Sequence, residues 1–159
     1  MKGLKFKATW LLLWSLVTGC SMASTTSATL DTETHTTFYF IGRWSPDCER
    51  VGGINIYDKK NIIIEINLNQ IYIRARGEFH GSAVTLFLDS PEDLGRGGMM
   101  LGWKEFSKIT PVANMELISE GASSVEWFGF FSDKSNSRVW VNEPDFLAVG
   151  DQVFSKCSS

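Results

Sequence analysis

Residues 62–79 decide the fold: Ile62-Ile-Ile-Glu-Ile-Asn-Leu-Asn-Gln-Ile-Tyr-Ile-Arg-Ala-Arg-Gly-Glu-Phe79. Apolar side chains alternate with mainly polar ones on both sides of the polar pair Asn69-Gln70. A period of two is the pattern of a strand with one buried face and one face in water. Two such runs joined by a short polar turn predict a β-hairpin.

The same alternation extends from this hairpin in both directions along the chain. It predicts further strands at about residues 37–44, 54–57, 84–88, 115–117, 125–131 and 139–141, followed by two last segments at 146–149 and 152–157. No long helix is predicted. About eight strands at intervals of roughly 8–12 residues predict one all-β domain, a small antiparallel barrel or sandwich.

The first twenty residues carry the marks of an export signal. Three lysines precede an apolar run over residues 10–17, and that run is shorter than the ~20 residues a helix needs to cross a bilayer. Val17-Thr18-Gly19-Cys20 resembles the lipobox of bacterial lipoprotein precursors. The resemblance implies cleavage after Gly19 and acylation of Cys20. Because Ser21 rather than Asp follows, it also implies the outer membrane of a Gram-negative envelope.

Between this signal and the strands lies a segment with almost nothing to bury. Residues 21–36 are small and polar, which predicts a flexible tether. Sixteen such residues span about 20–24 Å on average. We therefore divide the chain into a signal peptide (1–19), a lipidated cysteine with its tether (20–36) and a β domain (37–159).

The charge of the mature chain limits its partners. The whole chain has 15 Lys and Arg against 18 Asp and Glu, and three of the lysines and none of the acids lie in residues 1–19. The mature net charge is therefore near −6. A surface of that sign disfavours nucleic acid and electrostatic docking to anionic lipid. Membrane attachment is expected through the acyl chains instead.

Two cysteines remain if Cys20 is acylated. An exported compartment is oxidising, so Cys48 and Cys157 predict a disulfide. The bridge would close a loop of about 110 residues and join the first strand region to the C-terminus. Without a Cys-x-x-Cys motif, the pair gives no sign of a redox role.

Two features of the domain resemble known families. Gly42-Arg43-Trp44 resembles the Gly-x-Trp opening of lipocalins, in which a disulfide often ties the barrel to its end, as Cys48–Cys157 would here. The plan of anchor, tether and small disulfide-bonded barrel is similar to that of membrane-bound lysozyme inhibitors, whose inhibitory motif this sequence lacks. The resemblances imply a barrel, and no functional residue carries over.

Residues of familiar catalytic and metal sites are scarce. The chain has two histidines, His35 in the tether and His80 beside a turn, so a zinc site of the usual kind lacks ligands. It has no Gly-x-Ser-x-Gly, no His-Glu-x-x-His and no phosphate-binding Gly-x4-Gly-Lys motif. We therefore expect no metal, no cofactor and no enzymatic activity.

The Gly-rich segment 89–98, predicted as a loop, is one candidate site, because loops on a rigid β scaffold often carry function. Asp93 and Arg96 are its candidate partner-binding residues. The carboxylates of Asp89, Glu92 and Asp93 would suit calcium. The glycine amides with Arg96 would suit an anion, and an ordinary surface turn that needs glycine is the third interpretation.

Aromatic side chains on both faces of segment 125–131 give a second candidate site. One face must be core. The other face, with Phe128 and Phe130, is either covered by a second layer or exposed to a protein, glycan or lipid, and Trp140 follows the same pattern. We take Phe128, Phe130 and Trp140 as candidate partner-binding residues.

These patterns predict an outer-membrane lipoprotein that binds another envelope protein, in an inhibitory, immunity or assembly role. A barrel that carries a small apolar or lipidic ligand is the second hypothesis, and it needs an open interior. A hydrolase is the third, and it needs two carboxylates about 5–10 Å apart in a groove.

Replacing Cys20 by Ala is expected to move the protein from the membrane to the soluble fraction, or to leave uncleaved precursor, because the acyl acceptor is lost. Fractionation of cells with and without detergent measures this. Ser21→Ala keeps the acyl acceptor and is the control, expected to stay with the membrane. Membrane association of Cys20→Ala equal to that of the unchanged protein contradicts the anchor.

Overall fold

The computed structural model describes residues 38–66, 71–93, 102–142, 144–147 and 153–158. The signal, Cys20, the tether and the Asn69-Gln70 turn lie outside these ranges. The described part contains ten strands and two short 3-10 helices: β1 (Gly42–Ser45), β2 (Gly53–Ile56), β3 (Ile62–Glu65), β4 (Tyr72–His80), β5 (Ala83–Asp93), η1 (Trp103–Glu105), β6 (Ala113–Ser119), β7 (Ala122–Trp127), β8 (Phe130–Ser132), β9 (Ser137–Val139), η2 (Asp145–Leu147) and β10 (Val153–Cys157).

Eight of these strands form a closed antiparallel barrel. The order is β1, β2, β3, β4, β5, β6, β7 and β10, and β10 pairs back with β1. Trp44 marks the closure, because it lies opposite Ile54 on β2 and opposite Lys156 on β10. The remaining strands, β8 and β9, form a separate two-stranded ribbon. The predicted all-β fold is confirmed, and of its two predicted forms, barrel and sandwich, the structure has the barrel.

The alternation in the sequence becomes the inside and outside of the barrel. In the hairpin of β3 and β4, Ile64 lies opposite Ile73 and both are fully buried, whereas Arg74 is exposed. Burying a side chain of this size stabilises the fold by about 1.5–3 kcal/mol. The largest fully buried side chains of the domain are Trp44, Phe40, Phe130, Phe154, Ile54, Ile56, Ile62, Ile64, Ile66, Ile73, Leu86 and Leu88.

The two ends of the barrel differ. The N-terminal end is where residues 38–41 enter, where β10 finishes, and where the tight connections 57–61, 81–82 and 120–121 lie. The loop end is the opposite end, from which β1, β3, β5 and β7 lead into the other connections. The short connections therefore lie at the N-terminal end, and the longer connections lie at the loop end.

Residues 38–40 are helical, so the strand predicted from residue 37 is wrong there and begins only at Gly42. The cause is tertiary packing. The Phe40 ring lies edge-on to Phe79, 5.7 Å between centroids, and 6.2 Å from Trp44. Trp44 Nε1 donates to the Phe40 carbonyl oxygen at 2.7 Å. The helical turn thereby seals the N-terminal end with a buried ring.

The predicted disulfide is confirmed. Cys48 and Cys157 are bonded, their Cα atoms are 5.5 Å apart, and 109 positions separate them in sequence. Arg43 supports the same region from the outer wall. Its Nη1 donates to the Cys48 carbonyl oxygen at 3.0 Å, and its Nη2 donates to that of Arg50 at 2.6 Å. The disulfide and Arg43 together hold the connection between β1 and β2 against β10.

Replacing both Cys48 and Cys157 by Ala is expected to lower the free energy of unfolding by up to about 4–5 kcal/mol, because the unfolded chain regains the entropy that the long loop removes. Urea unfolding of the mature chain measures the change. Reduction should lower the midpoint of the unchanged protein and leave that of the double variant where it is. Equal midpoints for the reduced and oxidised protein would refute a stabilising bridge.

Candidate functional site

The structure places Asp93, Phe128 and Trp140 on segments that leave the barrel at its loop end. Asp93 is the last residue of β5, opposite Ile73, whereas Phe128 follows β7 and Trp140 follows β9. Residues 89–93 continue β5, so the predicted loop is wrong over that part. An irregularity in the pairing between Ile73 and Ala75 accommodates the extra β5 residues. Arg96 lies outside the described residues.

Phe130 is a core residue, which corrects its assignment to a possible binding surface. Its side chain is fully buried. The ring lies 5.4–5.8 Å, centroid to centroid, from four other aromatic rings, those of Phe106, Trp127, Trp140 and Trp103. The reason is that β7 ends at Trp127, and Phe130 starts the separate ribbon, whose apolar face packs against the domain. Of the two alternatives for this face, covered by a second layer or exposed to a partner, Phe130 is therefore covered.

Two unusual backbone positions fix the ribbon. Gly129 has φ +77°, and a Cβ atom there would overlap the Val139 carbonyl oxygen. Trp140 has φ +58°, a conformation that is rare for a bulky residue. Trp127 Nε1 donates to the Trp140 carbonyl oxygen at 2.8 Å, which holds the strained residue in place. Backbone strain of this kind is found preferentially at functional sites.

Around these positions lies a surface of two aromatic side chains, an arginine and a valine. We call Phe128, Arg138, Trp140 and Val141 the ribbon surface. Phe128 and Trp140 are half-buried, and Val141 is 46% exposed. The Arg138 guanidinium lies 5.3 Å from the Phe128 ring centre. Aromatic residues and arginine are enriched in protein interfaces.

Arg138 also fastens the ribbon to the barrel. Its Nη1 donates to the Pro111 carbonyl oxygen at 2.9 Å and to that of Gly129 at 3.1 Å. The sequence reasoning missed Arg138 as part of the site. A signal was available, because the polar segment 133–137 separates the predicted strands at 125–131 and 139–141 and suits a hairpin turn, and Arg138 pairs with Phe131 across that turn.

A groove at the N-terminal end of the barrel is a second candidate surface. Its volume is about 590 Å³, and it is lined by Phe38, Tyr39, Leu117, Ser119, Glu120, Gly121, Lys156, Cys157 and Ser158. Lys156 Nζ donates to the Tyr39 carbonyl oxygen at 3.1 Å and lies 5.8 Å from the Trp44 ring centre. The groove was not predicted, because the 38–40 segment was assigned to a strand.

The described side chains form no metal cluster. Within the described ranges, no group of three His, Cys, Asp or Glu could hold a metal ion together. Several carboxylates bind neighbouring side chains: Glu65 accepts from Asn55 at 2.8 Å, and Glu105 from Lys134 at 2.9 Å. These contacts connect strands and turns. The side chains of residues 90–93 are not described, so the calcium interpretation of segment 89–98 stays a prediction.

Comparison with known proteins adds no relative. No family model, no curated protein and no solved structure matches this chain. In the part of the chain that is described, no helix is long and apolar enough to span a bilayer.

Gly129→Ala is expected to destabilise the fold more than Gly121→Ala. The two glycines have similar φ, +77° and +81°, but a Cβ at Gly121 meets nothing within 4 Å, whereas one at Gly129 meets backbone. Gly121→Ala should therefore cost only the left-handed conformation, about 1–2 kcal/mol. Gly129→Ala should cost more and change the tryptophan fluorescence of the ribbon. Equal losses in urea unfolding would show that the ribbon is not held at Gly129.

Proposed function

We propose that the protein is an outer-membrane lipoprotein whose barrel is a non-enzymatic binding module for another protein of the envelope. The lipobox-like Val17-Thr18-Gly19-Cys20 supports the anchor. The ribbon surface supports the binding role, and the observation that carries the proposal is Trp140. This large aromatic residue is held at φ +58° beside an arginine-stacked phenylalanine.

A surface fixed in this way suits recognition of a folded partner. The hydrogen bonds of Arg138 and of Trp127 Nε1 restrain the ribbon before any partner arrives. A partner then meets aromatic side chains that are already held in place, so the ribbon loses less conformational entropy on binding. Tryptophan, tyrosine and arginine dominate the residues that carry most of the affinity in known interfaces.

The position of the ribbon surface agrees with anchoring at the other end. The chain enters the barrel at Phe38, at the N-terminal end, and the ribbon is reached from β7, which finishes at the loop end. With an anchor at Cys20 and a tether of about 20–24 Å, the ribbon surface lies at the end of the barrel that is farther from the anchor. A protein partner reaches it without passing between the barrel and the lipid.

The packing of the interior favours surface binding over a carrier role. The barrel is filled by large side chains such as Trp44, Phe154 and Ile54, all fully buried. A ligand inside would displace side chains of this kind, and removing one from a core costs about 2–5 kcal/mol. Binding at the surface requires no such loss.

A photo-crosslinking amino acid at Val141 tests the proposal in intact cells. Val141 is 46% exposed, and Ile118 at the N-terminal end, 59% exposed, is the matched control position. We expect one major protein adduct from position 141 and none from position 118. Adducts to the same protein from both positions, or none from position 141, would contradict a partner site on the ribbon surface.

Binding of the purified partner then gives the energetic test. Val141→Glu places a charge in the proposed contact, and we expect affinity to fall at least tenfold, about 1.4 kcal/mol. Ile118→Glu makes the same change at the other end and should leave affinity unchanged. Both side chains are exposed, so neither variant should unfold, and circular dichroism checks this. Equal affinity of Val141→Glu and the unchanged protein removes the ribbon surface from the interface.

A further inference from the structure

The N-terminal end of the barrel exposes an unusual number of large apolar side chains. Five of the nine large hydrophobic residues exposed in the described ranges lie there: Phe38 (70%), Tyr39 (46%), Ile41 (39%), Tyr57 (56%) and Ile118 (59%). We call these five residues the apolar end surface. Single exposed apolar residues are ordinary, but a concentration of them marks an interaction site.

The fold presents these side chains on rigid elements. Two contacts hold the turn of residues 38–40: the buried Phe40 ring packs against Phe79, and Lys156 Nζ donates to the Tyr39 carbonyl oxygen. At the same end, next to the start of β1, Asp58 Oδ1 accepts from the backbone amides of Lys60 and Asn61 and shapes the turn that carries Tyr57. Both turns are therefore fixed by contacts of their own while their apolar side chains stay exposed.

The charges around this surface are close to balance. Lys59, Lys60 and Lys156 lie at this end, and so do Asp58 and Glu120. A set with so small an excess of positive charge gives little electrostatic attraction to anionic lipid, so apolar burial must supply most of the contact. Aromatic side chains with a polar tip, together with lysines on long apolar stems, are the residues that favour the boundary between lipid and water.

We propose that the apolar end surface rests on the bilayer, with Phe38 and Tyr57 entering the headgroup region. This rests on the lipid anchor of the proposed function. The argument for lipid as the occupant is the course of the chain: only residues 21–37 separate Cys20 from Phe38, the most exposed of these side chains. The anchor keeps this end within about 20–24 Å of the bilayer on average.

Anchoring also removes the need for high intrinsic affinity. A tethered surface meets the bilayer at a high effective concentration, so a weak apolar contact is occupied most of the time. The groove between Phe38, Tyr39 and the hairpin of β6 and β7 opens at the same end. In the docked state it therefore faces lipid.

The test uses the mature chain from Cys20, coupled through the Cys20 thiol to a maleimide phospholipid in vesicles of phosphatidylethanolamine and phosphatidylglycerol. The coupling makes the result independent of whether cells acylate Cys20. Tryptophan is introduced in separate variants by Phe38→Trp, Tyr57→Trp and Ile109→Trp. Ile109 is 84% exposed, and the carbonyl oxygen of its neighbour Lys108 accepts from Arg76 on the outer wall of the barrel, so Ile109 is the matched control position.

We expect lipids brominated near the headgroup to quench the tryptophans introduced at positions 38 and 57 and to leave that at position 109 unquenched, relative to the unsubstituted chain. Emission from the first two should also shift to shorter wavelength, and both effects should persist at high salt. Tyr57→Trp is decisive, because Tyr57 is distant from the tether in sequence.

Quenching at position 38 alone would show contact of the tether region only and would overturn docking of the end. Equal quenching at position 109 would overturn it as well, since the barrel would then have no preferred orientation. In cells, a protein adduct from the crosslinker at Ile118 would assign the surface to a protein. Loss of membrane association in Cys20→Ala tests the anchor separately, so the two failures are distinguishable.

Discussion

Closure of the barrel depends on Trp44, which lies on the strand that joins β2 to β10. The indole is fully buried and lies in register with both β2 and β10, so the first and last barrel strands meet around it. Its Nε1 holds the Phe40 carbonyl oxygen, and Lys156 lies over its ring. Arg43, the residue before it, faces outward and holds the connection that carries Cys48. Two adjacent residues, Arg43 and Trp44, therefore contribute to barrel closure, to the packing of its N-terminal end and to the position of the disulfide.

The sequence predicts the parts of this fold in which a local pattern and the tertiary environment agree. In residues 62–79 the apolar period of two matches a sheet with one buried face, so the two strands and their core face were predictable. The disulfide was predictable because an exported protein is expected in an oxidising compartment. Residues 38–40 show the same alternation but are helical, because Phe40 packs against Trp44 and against Phe79, and Phe79 is distant in sequence. No local pattern contains the contact with Phe79.

The candidate site was predictable only in part for the same reason. Phe128 and Trp140 follow from aromatic density, and the structure places them near each other through Gly129 and Arg138. Phe130 differs from Phe128 by two positions, yet it is core, since the two residues belong to different segments of a chain that turns at Gly129. An alternation argument assumes one continuous strand, and it fails where the backbone adopts positive φ.

Two surfaces at opposite ends account together for features that neither explains alone. The ribbon surface gives a reason for a tryptophan held at positive φ, which a fold selected for stability alone would avoid. The apolar end surface gives a reason for exposed aromatic residues beside the point where the tether joins the barrel. If that end lies on lipid, the barrel loses rotational freedom before it meets a partner. The ribbon surface is then oriented outward, so the entropy that a free domain would lose on binding is already lost to the membrane.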